Sequence, residues 1–120
     1  MEDYKLGVVE SRFADIIWRN EPLPSRELVM LCQKELNWKK PTTYTVLRKL
    51  CERGIFQNVE GTVSSLISRE DFYGRQSEQF VQETFAGSLP AFFAAFTRQK
   101  QISPEELAQI RRMIDAYGEE

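Results

Sequence analysis

The sequence predicts a mostly α-helical protein with one small β-hairpin. Three observations lead there. Apolar residues recur at three- and four-residue steps through most of the 120-residue chain, the period of helices that each bury one face. That period gives way to short strand-like stretches between Ile55 and Ile67, around Glu60-Gly61, where glycine supplies the backbone freedom of a tight hairpin. The five prolines stand at the junctions between periodic stretches, where helices start and stop.

Val9, Phe13, Ile16 and Ile17, with Trp18 beside them, mark a first helix of about three turns. Asn20-Glu21-Pro22-Leu23-Pro24 stops it, because proline cannot continue a helix and restricts the residue before it. Pro24 also suits the start of the next helix, where its missing N–H is harmless, and Leu28, Leu31, Cys32 and Leu36 mark that helix. Asn37 to Lys40 is polar and turn-like. Pro41-Thr42-Thr43 opens a third helix, with Thr43, Val46, Leu47, Leu50 and Cys51 on one face, and Gly54 ends it. The strands 55–59 and 62–67 follow. Three helices and a hairpin in this order are a winged helix-turn-helix, expected over residues 1–69.

Residues 70–120 are expected to form a C-terminal three-helix arm. Phe72, Phe80, Val81, Thr84 and Phe85 share one helix, and Gly87-Ser88-Leu89-Pro90 punctuates. Phe92, Phe93 and Phe96 make a short aromatic helix. Ser103-Pro104-Glu105-Glu106 starts the last one: Ser caps, Pro takes the first position and Glu106 completes a capping box. Leu107, Ile110, Met113, Ile114 and Tyr117 then line one face. Three such helices are too small to close a core alone. Phe85, Phe92, Phe93, Phe96, Ile110, Met113 and Tyr117 need cover, from a second copy of the chain or from its own first domain. Aromatic-rich apolar surface favours the second copy, so the arm is expected to dimerise.

Composition excludes several functions. The chain has no histidine, which removes His-based zinc sites, Ser-His-Asp triads and Cys-His pairs together. Cys32 and Cys51 are too few and too far apart for a metal knuckle. Both lie in apolar helical patterns and read as buried small hydrophobes in a reducing compartment. No cofactor or metal is expected, and no cluster of acid, base and nucleophile supports an enzyme. No apolar run approaches the ~18 residues of a membrane span. The acidic Met1-Glu2-Asp3 start lacks a secretory pattern. A cytoplasmic protein without membrane insertion is the expectation.

The net charge is −2, unlike a typical DNA binder, yet its distribution is uneven. Residues 34–53 hold six basic side chains (Lys34, Lys39, Lys40, Arg48, Lys49, Arg53) and two acidic ones, a local +4. On charge alone this is either a phosphate contact site or a solvated basic helix face. A helical wheel at about 100° per residue turns Pro41, Thr45, Arg48 and Glu52 away from the apolar face. Tyr44 and Lys49 flank that outer side, and Lys39, Lys40 and Thr42 sit at its N-terminal end. A recognition helix puts its N-terminal residues at base edges in the major groove. Thr and Tyr hydrogen-bond bases or phosphates, and Arg grips a guanine edge or a phosphate bidentately. Lys39, Lys40, Thr42, Tyr44, Thr45, Arg48 and Lys49 are therefore the candidate contacts to double-stranded DNA. The hairpin, by contrast, has no Lys or Arg and carries the acid Glu60. That leaves open a second reading: a winged-helix protein–protein interaction module that has lost sequence-specific DNA binding.

The chain resembles the BlaI/MecI/CopY penicillinase-repressor family. Leu6-Gly7-Val8-Val9-Glu10 leading to Ile16-Ile17-Trp18, Glu27-Leu28, the run from Pro41 to Leu50, Gly54-Ile55 and Pro104-Glu105-Glu106-Leu107 fall in step with it. The resemblance implies a homodimeric repressor on a dyad operator, often with half-sites like TACA and TGTA. It places Thr42, Tyr44, Thr45 and Arg48 at the bases, with Lys40 and Lys49 nearer the backbone. Relatives often carry Arg, Lys or Gln where this chain has Tyr44. In β-lactam-responsive members a membrane sensor protease acts indirectly to bring about cleavage of the C-terminal arm. That bond corresponds to Ala95-Phe96, where such relatives carry Asn before Phe. Copper-responsive members end in a cysteine-rich motif, and this chain has no cysteine after Cys51.

Overall fold

A computed structural model describes residues 4–119. The element order is α1 (Val8–Asn20), β1 (Leu23–Pro24), α2 (Ser25–Leu36), α3 (Lys40–Glu52), β2 (Phe56–Val59), β3 (Thr62–Ser65), α4 (Arg69–Phe85), α5 (Leu89–Gln99) and α6 (Pro104–Gly118). The chain divides into two compact units, one ending at Gln79 and the other starting at Phe80. The division falls within α4, whereas the sequence placed a boundary where that helix begins.

In the first unit, α1 starts where the Glu10 carboxylate accepts from the Gly7 N–H at 3.0 Å, relieving one of the donors a helix start leaves open. It buries Phe13, Ala14, Ile16 and Ile17, while Val9 remains 48% exposed. α2 ends on Asn37, whose left-handed backbone (φ 57°) returns its N–H to the Cys32 carbonyl, a role usually taken by glycine and sometimes by Asn. Trp38 then stacks on Phe13, with ring centroids 5.4 Å apart. The turn that looked merely polar in sequence is thus anchored on α1, which sets where α3 begins.

β2 and β3 form the expected hairpin, pairing Phe56 with Ser65 and Val59 with Thr62. Glu60 and Gly61 both take positive φ (51° and 83°), the requirement of a type I′ turn. The strands are shorter at their outer ends than the sequence suggested, although Leu66 N–H still donates to the Ile55 carbonyl at 2.8 Å. β1 has no signature in the sequence. Leu23 and Pro24 pair with Val63 and Thr62, giving the sheet order β1-β3-β2. Two residues are too few to show alternation, and proline is tolerated here because β1 is an edge strand.

The core joins Phe13, Ile16 and Ile17 to Leu28, Leu47, Leu50, Phe56, Val63 and Phe72. Phe72 corrects the sequence reading, which grouped it with the C-terminal arm. It is fully buried in the first unit, with its ring 5.7 Å from both Tyr4 and Trp18. Such burial contributes about 1.5–3 kcal/mol. Trp18 also ties the hairpin's exit to α1, its Nε1–H donating to the Ile67 carbonyl at 3.1 Å.

The second unit starts in the last turns of α4, which stop at Ala86 and Gly87, both with positive φ (51° and 82°). The Ser88 hydroxyl caps α5 by accepting from Ala91 N–H, and Ser103 caps α6 by accepting from Glu106 N–H, both at 3.1 Å. The second is the start that the Ser-Pro-Glu-Glu run predicted, and the first falls inside the Gly-Ser-Leu-Pro break, which the sequence marks only as punctuation. No helix among the described residues is long and apolar enough to cross a membrane.

Candidate nucleic-acid interface

α3 separates its faces as the wheel required. Thr43, Leu47 and Leu50 are buried, whereas Pro41, Thr42, Thr45 and Arg48 are exposed. Lys39 is the N-cap residue and Lys40 the first helical one, and both are exposed. The Thr45 hydroxyl donates to the Pro41 carbonyl at 2.9 Å, which leaves its oxygen free to accept. Arg48 has no ion-pair or hydrogen-bond partner among the described residues. These side chains share one accessible surface at the start and middle of α3.

Two of the sequence-selected residues are placed differently from that set. Lys49 Nζ lies 3.8 Å from Glu10 Oε2 on α1. Tyr44 is half-buried, and its hydroxyl donates to Ser25 Oγ, the first residue of α2, at 3.0 Å. Tyr44 also lines a shallow hollow between α3 and β2 with Leu47, Arg48, Cys51 and Asn58.

Ser25 and Arg26 escaped the sequence reading. They line a second hollow with Pro24 and the hairpin residues Glu60, Gly61 and Thr62, and the Ser25 N–H donates to the Gly61 carbonyl at 2.8 Å. Arg26 is exposed and unpartnered among the described residues. The hairpin itself has no cation, and the structure brings one to its tip from α2. Pairing of Pro24 with Thr62 does this, and no pattern of two residues in sequence announces it.

Thr43 sits in the core with an oxygen that makes no hydrogen bond of good geometry. It is near enough to the Cys32 thiol to oppose, weakly, the effect of burial, which pushes that thiol from its ordinary 9.0 up to about 11. Burial raises the half-buried Cys51 thiol as well, helped by Glu52. Both thiols therefore stay protonated at neutral pH, which suits packing more than redox chemistry.

In the second unit, Phe85 and Phe92 are half-buried and meet edge to face at 5.7 Å, with Phe80 completing the cluster. Phe93 and Phe96 are 42% and 46% exposed, Met113 64% and Tyr117 81%. Ile110 is half-buried and Ala95 exposed. No residue described in this unit is fully buried.

The pattern that defines penicillinase repressors matches residues 6–116. A penicillinase repressor of Bacillus licheniformis is 23% identical over 117 residues, which cover 94% of this chain and 91% of that protein. The match takes in the helix-turn-helix, the hairpin and the C-terminal helices alike. With a helical fold of the expected order and a pattern match over nearly the whole length, the chain belongs to the penicillinase repressor family, whose members regulate transcription and are not enzymes.

Proposed function

We propose that this repressor acts as a homodimer on a palindromic operator, with α3 of each protomer in the major groove. The observation that supports this best is the exposed row Thr42, Thr45 and Arg48 on a helix whose opposite face is buried. Hydroxyls and a guanidinium are the groups that read base edges, and Lys39 and Lys40 stand at the same helix start to meet phosphates. Two copies of α3 would lie about one duplex turn apart in a dimer. The apolar side chains of α5 and α6, among them Phe93, Phe96, Met113 and Tyr117, would supply the dimer contact. Release by the route of the β-lactam-responsive relatives would place the cut near Ala95-Phe96, inside α5, so that helix would have to open first.

The test is a fluorescence anisotropy titration with duplexes selected from a randomised pool. Binding that weakens steeply with salt is the expected result, and no duplex retained at low salt would sink the proposal. The hairpin's lack of Lys and Arg favours one other reading, a winged helix that contacts protein. Affinity capture with and without nuclease separates the two, because a protein partner survives nuclease and an operator does not.

A further inference from the structure

We infer that Ser25 is the joint that fixes the spacing between hairpin and reading helix, and that Tyr44 serves as a positioning residue and not as a base contact. This deepens the DNA-binding proposal and rests on it. Ser25 holds two partners at once. Its backbone N–H donates to the Gly61 carbonyl in the hairpin turn at 2.8 Å, and its Oγ accepts the Tyr44 hydroxyl of α3 at 3.0 Å. One residue at the start of α2 thereby links the three elements that would face a duplex: the hairpin turn, α2 and α3.

The chemistry of the phenol decides its role. A tyrosine hydroxyl has a single hydrogen to donate, and Tyr44 gives it to Ser25. Phosphate oxygens only accept, so the phenol has nothing left to offer them. Thr45 has its hydrogen committed as well, but Thr45 is exposed and free to accept from a base, whereas Tyr44 is held half-buried on Ser25. Its ring is half-buried and packed against the core, lining the hollow between α3 and β2 with Leu47 and Cys51. Base reading then falls to Thr42, Thr45 and Arg48. A fixed spacing helps because hairpin and helix must meet the duplex together. A joint already set in the free protein spares the ordering that binding would otherwise require.

The test compares Tyr44→Phe, Ser25→Ala, the double variant and Ser25→Thr on the duplex that the unaltered full-length protein selects from a randomised pool. Tyr44→Phe keeps the ring and loses only the hydroxyl. Each of the first two is expected to weaken binding roughly three- to ten-fold, the worth of about one net hydrogen bond. The double variant should be no weaker than the weaker single one, and Ser25→Thr, which keeps the hydroxyl, should bind as the unaltered protein does. Repeating the selection with Tyr44→Phe should return the same base preferences. A changed preference would make Tyr44 a base contact and overturn the inference, as would additive losses or unchanged affinity. If the unaltered protein selects no duplex, the DNA-binding proposal fails and the inference falls with it, a result distinct from the others because it needs no variant.

Discussion

Lys49 and Glu10 face each other across α3 and α1 at 3.8 Å, while Arg48, one residue earlier, has no such partner among the described residues. In the proposed DNA contact these neighbours in sequence would therefore engage on different terms. A pair with an exposed lysine and a half-buried glutamate is worth on the order of 1 kcal/mol, so Lys49 could leave Glu10 for a phosphate, but at that cost. Arg48→Ala is expected to lower operator affinity by about 1–3 kcal/mol and to relax preference at one base position. Lys49→Ala should cost less and leave preference unchanged. Glu10→Gln, which can still accept from Gly7, should tighten binding slightly. Anisotropy with the selected duplex measures all three, and an effect of Lys49→Ala as large as that of Arg48→Ala would contradict this ordering.

Arg26 is expected to stand in for the cation the hairpin lacks. Arg26→Ala should weaken binding to operator and to unrelated duplex by similar factors, and should lower the slope of log affinity against log salt by about one. A loss confined to the operator would mean that Arg26 reads bases.

The proposed dimer contact through α5 and α6 is expected to break when charges are placed on it. Sedimentation should show twice the 14.0 kDa chain mass for the unaltered protein. Phe93→Glu together with Met113→Glu should yield monomer, because a buried unpaired carboxylate is strongly disfavoured in an interface. A dimer that survives both changes would place the contact elsewhere.

Much of this architecture is legible in sequence, and the exceptions share a cause. The three helices of the first unit follow from period, and the Glu60-Gly61 turn from the glycine, although Glu60 takes positive φ as well. Ser103 caps the last helix where the run of Ser and Pro put it. What sequence hid was pairing between distant stretches. Leu23-Pro24 reads as a helix stop and becomes a strand only because β3 lies beside it. Trp38 and Phe72 look like parts of a turn and of the arm, and their places depend on Phe13 and Trp18. The interface shows the same division. The exposed row on α3 was visible from helical spacing, whereas Arg26 at the hairpin and Tyr44 on Ser25 required the fold.

Alkaline pH should expose the burial of Cys32. Its thiol holds its proton up to about 11 in the folded chain but releases it from the ordinary 9.0 when unfolded. Above pH 9 the unfolded state therefore binds fewer protons than the folded one, and stability falls as pH rises toward 11. Cys51 and Tyr73, both raised chiefly by burial, push in the same direction. Urea denaturation of Cys32→Ala should show a shallower fall over that range, and an unchanged fall would mean that Cys32 plays no part in it.

Phe72 also dictates how the molecule can be cut. Beyond it on α4, Arg75 donates to the Tyr4 hydroxyl at 2.9 Å, Gln76 to the Tyr4 carbonyl at 2.8 Å, and Gln79 accepts from the Tyr4 N–H at 3.3 Å. A fragment ended at the hairpin, or at Asp71, would lose a core aromatic and every one of these clasps. A free-standing DNA-binding fragment of this chain is therefore expected to extend at least to Gln79, carrying along most of a helix that sequence assigns to the other end.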